Sequence, residues 1–97
     1  MNNKIYIAGL VSGIAYKEAF LNFARAEMYW SLKGYDVVNP TRLCNKEWGW
    51  WRCMAFCLWN LTKCKYVYFM PNYVYSKGAR IELFFAKLLR KTIYFEC

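Results

Sequence analysis

Four short apolar runs divide the chain at regular intervals. They cover residues 4–8, 35–38, 66–70 and 92–95. All four are rich in β-branched and aromatic residues, and the first three are followed by Gly9, Asn39-Pro40 and Pro71-Asn72. Runs of this composition that stop at turn-forming residues predict β-strands.

The segments between these runs have helical spacing of their apolar residues. They predict helices at about residues 16–33, 50–63 and 79–91, and Gly34 stands where a helix-ending glycine is expected. The predicted buried stripes are Phe20, Phe23, Ala24, Met28 and Leu32 in the first helix, Met54, Cys57, Leu58 and Leu61 in the second, and Ile81, Phe84, Phe85 and Leu88 in the third.

Strict alternation of strands and helices with short connections predicts an α/β fold. We expect a single small Rossmann-like (flavodoxin-like) three-layer domain over residues 1–97. Its four-stranded parallel sheet should have the order 2-1-3-4, with the first strand central.

Composition supports a folded domain, since 59% of the 97 residues are hydrophobic and 22% are aromatic. These values exclude a disordered chain. The aromatic excess favours a ligand site or a subunit interface, so we expect a homo-oligomer. No apolar run approaches the roughly 18 residues of a membrane span, and no signal peptide is visible. We therefore expect a cytoplasmic protein without membrane contact.

The formal net charge of +8 favours anionic partners. The cations extend along the sequence from Lys4 to Lys91 and form no single block. A general solubilising surface explains this pattern at least as well as a nucleic-acid stripe does, and we do not expect nucleic acid as a partner.

The chain has five cysteines and no histidine. Cys53 and Cys57 have the i, i+4 spacing of a helical metal chelate, but no Cys-x-x-Cys pair accompanies them, and a closed zinc site needs four ligands. We expect no metal site and no cofactor, and we interpret the cysteines as free thiols in a reducing compartment.

The third strand, its loop and the start of the third helix form the candidate site. Ligands bind at the carboxyl ends of strands in open α/β sheets, and helix N-termini carry partial positive charge. Glu82 near such a terminus should stay ionised with a lowered pKa, as a covalent nucleophile requires. The alternative is that Glu82 only stabilises the helix, by about 0.3–1 kcal/mol.

Two further segments are candidates for ligand contact. The loop from Gly9 to Gly13 has two glycines that allow close backbone approach, but it lacks the third glycine of a dinucleotide fingerprint. Trp48, Trp50 and Trp51 either cover a sheet edge or a neighbouring subunit, or one of them stacks on a base or ribose.

The motifs together resemble those of the nucleoside 2-deoxyribosyltransferase-like superfamily, most closely its short phage and bacterial branch (DUF4406-like). The resemblance extends over nearly the whole chain. It rests on the first strand with Ser12-Gly13, the segment from Gly34 to Pro40, Trp50 with Met54, Pro71-Asn72, and the Ser-x-Gly-Ala-x-x-Glu segment from Ser76 to Glu82.

The resemblance implies specific roles. Glu82 would attack the anomeric carbon of a deoxyribosyl group, with Tyr6 beside it. The Gly9–Gly13 loop and Ser76 would face the sugar or its 5′-phosphate, and sites in this superfamily are commonly completed across a subunit interface. The predicted substrate-binding residues are Gly9, Ser12, Gly13, Trp50, Ser76 and Gly78.

Two positions depart from the superfamily pattern. Cys57 and Lys65 stand where relatives usually carry aspartates that position or protonate the leaving base. A thiol is a poor general acid near neutral pH. Three hypotheses therefore remain: an N-glycosidase or deoxyribosyltransferase, a nucleotide-binding protein without turnover that senses or sequesters a nucleotide-derived signal, and, least favoured, a nucleic-acid-binding module.

Overall fold

A computed structural model describes residues 3–9, 16–42, 47 and 49–95. The predicted helices and strands are all present, with ends that differ by up to three residues. The strands are β1 (Lys4–Ala8), β2 (Asp36–Val38), β3 (Tyr66–Phe69) and β4 (Thr92–Phe95), the α-helices are α1 (Tyr16–Leu32), α2 (Trp50–Thr62) and α3 (Lys77–Leu88), and short 3-10 helices cover Pro40–Arg42 and Pro71–Tyr75.

The sheet has the predicted topology. Its four strands are all parallel and have the order β2-β1-β3-β4. Tyr6 lies opposite Val38 of β2 and Val67 of β3 in the register. The predicted α/β fold class with a four-stranded parallel sheet is therefore confirmed.

The central strand β1 is buried on both faces. Ile5 and Ile7 belong to the core on the α1 side of the sheet, whereas Tyr6 and Ala8 belong to the core that includes residues of α2 and α3. Successive side chains of a strand point to opposite faces. The pleat therefore directs the Tyr6 side chain toward the α2 and α3 layer.

The predicted buried stripe of α1 is wrong for most of its members. Only Phe23 is fully buried, while Met28 is 66% exposed and Leu32 is 83% exposed. The helix instead buries Ala19, Phe23, Ala26 and Trp30. Trp30 sets this rotation, because its ring lies 5.2–5.3 Å from the rings of Tyr35, Tyr68 and Tyr94, a spacing typical of favourable aromatic pairs.

The predicted stripe of α3 is wrong for Phe84 and Leu88, which are both 63% exposed, whereas Ile81 and Phe85 are half-buried. The buried residues of this helix are Ala79, Glu82 and Ala86. Small side chains let this face of the helix approach the sheet closely, which leaves Phe84 and Leu88 outside. In α2 the prediction is confirmed for Met54, Cys57 and Leu61, and Leu58 is half-buried.

The cysteine prediction needs one correction. Cys57 and Cys64 are free and buried, as expected, but Cys53 is disulfide-bonded. A disulfide is uncommon in a reducing compartment, so the cysteines give no support to a cytoplasmic location. Among the described residues, no three His, Cys, Asp or Glu side chains form a group that could hold a metal ion. No helix in the described part of the chain is long and apolar enough to cross a membrane.

The end of α1 yields a stability prediction. Gly34 has a φ of +94°, which L-residues rarely adopt, and a Cβ there would meet no atom within 4 Å. Gly34→Ala should lower the free energy of unfolding by about 1–2 kcal/mol through backbone strain alone. Urea unfolding measures this change. Gly49→Ala is the matched control, since Gly49 has extended backbone and open space around it. Equal effects of the two substitutions would contradict the explanation.

Candidate functional site

Three polar side chains from three elements meet between the sheet and the α2 and α3 layer. They are Tyr6 from β1, Cys57 from α2 and Glu82 from α3. Each influences the pKa of at least one of the others, so the three groups are close neighbours. They lie in a core otherwise built from apolar residues such as Leu61, Val67 and Phe69. A carboxyl, a phenol and a thiol in such surroundings form a candidate functional cluster.

Glu82 does not have the lowered pKa that the sequence predicts. The side chain is only 6% exposed, and burial raises the pKa of its carboxyl to about 8, with a smaller opposing effect from Tyr6. The helix dipole acts mainly within the first turn. Glu82 is the sixth residue of α3, beyond that turn. Desolvation therefore outweighs the dipole, and the ligand-free carboxyl is largely protonated at neutral pH.

The Tyr6 hydroxyl is fully buried and has no hydrogen-bond partner among the described residues. Burial raises the pKa of Tyr6 well above its usual value, and the nearby Glu82 and Cys57 raise it further. Both neighbours are close enough to affect its titration. A buried hydroxyl without a partner costs about 1–3 kcal/mol. A ligand group that pairs with it would recover that free energy.

Cys57 is the third member of this cluster. Burial raises the pKa of its thiol to about 11, partly opposed by Tyr6. The thiol is therefore protonated at neutral pH, but its pKa is too high for efficient proton donation to a leaving group. Sequence reasoning placed Cys57 in the buried stripe of the second helix and as a departure from a family pattern, but not in a cluster with Tyr6 and Glu82. Its i, i+3 and i+4 relation to the buried Met54 and Leu61 was the signal that placed it inside.

Trp50, Ser76 and Gly78 are near one another where α2 and α3 begin. A Cβ at Gly78 would lie 3.4 Å from Met54 Sδ and 3.9 Å from both Ser76 Oγ and Trp50 Cζ2. Lys77 Nζ lies 5.7 Å from the centre of the Trp50 ring. Both helices begin at the carboxyl edge of the sheet, about two turns before Cys57 in α2 and about one and a half turns before Glu82 in α3. This group therefore lies between the buried cluster and that edge.

Ser76 has a structural role in the ligand-free protein. Its Oγ accepts a hydrogen bond of 3.1 Å from the backbone N–H of Ala79, which caps α3. Such a cap contributes about 1 kcal/mol to stability. The hydroxyl hydrogen is still free to be donated to a ligand oxygen, so capping and ligand binding are compatible.

Gly9 ends β1 beside the loop that follows β3. A methyl group at this position would overlap the Met70 side chain and lie 3.3 Å from Asn72 Oδ1. The small residue thus permits close contact of the two strand ends, whereas the sequence predicted that Gly9 allows close approach to a ligand, which stays a prediction. The other two predicted residues of this loop, Ser12 and Gly13, lie outside the described residues.

Lys65, which stands where the resemblance places an aspartate near the leaving base, is not near the carboxyl edge of the sheet. It directly precedes β3, and its Nζ lies 5.4 Å from the centre of the Tyr66 ring. Because all strands are parallel, the residue before a strand lies at the amino edge of the sheet. Lys77 and Arg80, near the start of α3, are cations close to the carboxyl edge.

A cavity that sequence reasoning missed lies on the opposite face of the sheet. Its volume is about 740 Å³, and Trp30, Tyr68 and Tyr94 form part of its wall together with Arg25 and Asn72. It is separated from Glu82 by the sheet. It exists because α1 packs mainly on β1 and β2, which leaves the β3 and β4 side of that face without a helix.

The raised pKa of Glu82 predicts how stability depends on pH. The carboxyl titrates at about 8 in the folded protein, against an ordinary value of 4.5. The contribution of Glu82 to the free energy of unfolding should therefore be highest below pH 4.5 and fall by on the order of 3–5 kcal/mol between pH 4.5 and 8. It should level off above pH 8. Urea unfolding at a series of pH values measures this profile.

Glu82→Gln should remove most of that fall, because an amide does not ionise. Glu18→Gln is the control, since Glu18 is exposed on α1, and it should leave the profile unchanged. Parallel profiles for the wild type and Glu82→Gln would show that Glu82 is not desolvated.

Comparison with known proteins agrees with this architecture. The family described as "Domain of unknown function (DUF4406)" matches residues 3–95. The structure is similar to that of the 2-desoxiribosyltransferase from Leishmania mexicana, with a TM-score of 0.64 and 28% sequence identity. The match covers 96% of this chain and 63% of that one, so this chain spans less than two thirds of its length. No curated protein sequence matches. The chain thus belongs to the DUF4406 family and has the nucleoside 2-deoxyribosyltransferase-like fold that its motifs predict.

Proposed function

We propose that the chain binds a nucleoside or nucleotide and acts on its N-glycosidic bond, with Glu82 as the nucleophile. The observation that carries this proposal is the buried carboxyl of Glu82 next to the Tyr6 hydroxyl, which has no partner in the described structure. The fold, similar to a deoxyribosyltransferase, supports a nucleoside as the ligand class. A strongly perturbed carboxyl inside such a fold is a reasonable catalytic candidate.

The proposed chemistry is a displacement at the sugar. A carboxylate oxygen of Glu82 forms a bond to the anomeric carbon, and the bond from that carbon to the base nitrogen breaks. The base leaves with the electron pair and takes up a proton. A second base or water then attacks the same carbon and releases Glu82. Tyr6 donates a hydrogen bond to the carboxylate or the sugar and keeps the attacking oxygen in place.

The protonation state of Glu82 limits this chemistry. With a pKa of about 8, only about a tenth of the ligand-free protein carries the carboxylate at pH 7. Positive charge developing on the sugar in the transition state would favour the ionised form. A rate controlled by Glu82 ionisation should therefore rise with pH and level off above its pKa.

The carboxyl edge supplies groups suited to a phosphorylated ligand. Trp50 offers a 39%-exposed ring for stacking, and the Lys77 ammonium is beside it. Lys77 and Arg80 would balance a 5′-phosphate, while Ser76 and the backbone at Gly78 contact the sugar or phosphate. Gly9, Ser12 and Gly13 complete this set as predicted ligand contacts.

A second candidate function is nucleotide binding without turnover, to sense or sequester a nucleotide-derived signal. It is favoured by Cys57, the thiol that stands where the resemblance places a carboxylate. Its pKa of about 11 makes it a poor acid, and loss of general-acid catalysis costs about 10²–10⁴-fold in rate. Binding can persist under these conditions even when chemistry does not.

We propose that the chain is a homo-oligomer and that it functions in the cytoplasm. Several large apolar residues of α1 that would otherwise be expected in the core are exposed, including Leu21, Met28, Tyr29 and Leu32. An exposed apolar helix face of this kind is typical of a subunit interface. Light scattering at micromolar concentration distinguishes an oligomer from a monomer. The cytoplasmic location stays a prediction.

The first functional test is a binding and turnover assay with the four deoxynucleoside monophosphates. We expect measurable binding at millimolar concentration or below, and base release well under about 1 s⁻¹, the low end of ordinary enzymes. Chromatography of the free base measures turnover, and calorimetry measures binding. Glu82→Ala should abolish any release, whereas Glu18→Gln should not. Turnover near 1 s⁻¹ that depends on Glu82 would show that another group replaces the acid, and absence of any binding would reject both functions.

A second test restores the acid. Cys57→Asp places a carboxyl next to Tyr6 and Glu82 and should raise base release by on the order of 10²-fold if protonation limits the reaction. Cys57→Asn is the matched control, because asparagine has nearly the same shape as aspartate but has no acidic proton to donate. Circular dichroism checks that both variants fold. Equal rates for the folded Asp and Asn variants would argue for binding without turnover.

A further inference from the structure

The fold gathers the positive charge onto one part of the molecule. Residues 49–91, from the start of α2 to the residue before β4, contain eight Lys and Arg and one acid. The rest of the chain has six Lys and Arg against five acids and is nearly balanced. The single acid is Glu82, which is buried and has a pKa of about 8. Within residues 49–91, all of which the structure describes, the exposed charged side chains are therefore all cations.

On α3, three of these cations lie near the exposed ring of Phe84. Two shallow depressions of about 430 and 510 Å³ lie side by side on this helix, and both are lined by Arg80 and Phe84. Lys77 lines the first and Lys87 lines the second. We call Lys77, Arg80, Phe84 and Lys87 the basic track. All four side chains are exposed, and the Phe84 ring is 63% exposed.

We propose that the basic track binds single-stranded nucleic acid. Lysine and arginine pair with phosphates without sequence preference, and an exposed aromatic ring is a stacking platform for a base. Lys77 and Lys87 are ten residues apart, which is about 15 Å along a helix and matches about four nucleotides of a strand. Such a strand would share Lys77 and Arg80 with the proposed phosphate contacts and would continue along α3 to Phe84 and Lys87, away from the buried Glu82 cluster. The proposal departs from the sequence-based expectation that nucleic acid is not a partner.

The shape of the track favours a strand over an anionic membrane. A bilayer contacts protruding apolar side chains on a flat or convex face, with the cations around them. Here the cations and Phe84 line depressions, so an occupant must enter between them. A single strand offers phosphates and unstacked bases in alternation, whereas a duplex keeps its base faces covered.

The test uses a fluorescently labelled oligothymidylate of about 12 nucleotides, with fluorescence anisotropy measured at several salt concentrations. If Lys77, Arg80 and Lys87 each contact one phosphate, the logarithm of the association constant should fall with the logarithm of the salt concentration with a slope of about −2. Arg80→Gln with Lys87→Gln should reduce the slope to about −0.7. Lys17→Gln with Arg25→Gln is the control, because it removes the same charge from exposed positions of α1. Phe84→Ala should weaken binding about tenfold, and Phe84→Trp should restore it.

Several outcomes would overturn the proposal. One is an equal loss of affinity in the α1 control and the track variant, which would indicate a net-charge effect only. Another is binding to vesicles of phosphatidylserine and phosphatidylcholine with none to the oligonucleotide. A third is loss of oligonucleotide binding in Glu82→Gln, which would place the strand in the nucleotide site. Retained strand binding in Glu82→Gln, with loss in Phe84→Ala and in the single variant Lys87→Gln, would support the proposal whether or not the protein acts on nucleotides, because neither Phe84 nor Lys87 belongs to the proposed nucleotide site.

Discussion

The structure depends on the burial of β1 on both faces of the sheet. Ile5, Tyr6 and Ile7 are all completely inaccessible to solvent, and neighbouring strands occupy both edges of β1. A strand in this position must divide its side chains between two cores. Tyr6 is the polar exception, and its direction is fixed by the pleat. The Tyr6 hydroxyl therefore lies next to Cys57 of α2 and Glu82 of α3, which are buried at the same depth.

The protonation of Glu82 follows from this burial. A carboxylate at this depth has lost most of its water, and a phenol and a thiol are the polar neighbours found for it within the described part of the chain. The protein therefore holds the neutral acid, which costs less to desolvate. A ligand that supplies positive charge or hydrogen-bond donors would shift the balance toward the carboxylate. Under the proposed function, substrate binding and activation of the nucleophile are thus the same event.

The same packing accounts for the outer surface. Because α3 buries its small residues Ala79 and Ala86 with Glu82, Phe84 and Leu88 share the exposed face with the cations. The sequence alone suggested that this apolar face was the buried one. In the folded protein it is the surface on which Phe84 stands between Arg80 and Lys87, and this arrangement supports a role in contact with a polyanion.

The sequence by itself determined the elements, their order and the parallel sheet, because strand and helix periodicities and the punctuating Gly, Pro and Asn are local signals. It also identified Tyr6 and Glu82 through a family pattern. It could not determine how α1 and α3 are rotated, since both helices carry apolar residues around most of their circumference and periodicity then selects no unique face. Only tertiary packing decided this, through the contacts of Trp30 with three tyrosine rings and through the close approach of Ala79 and Ala86. The pKa of Glu82 was equally beyond the sequence, because desolvation depends on the depth of a group in the fold, whereas the helix dipole can be inferred from position along the chain.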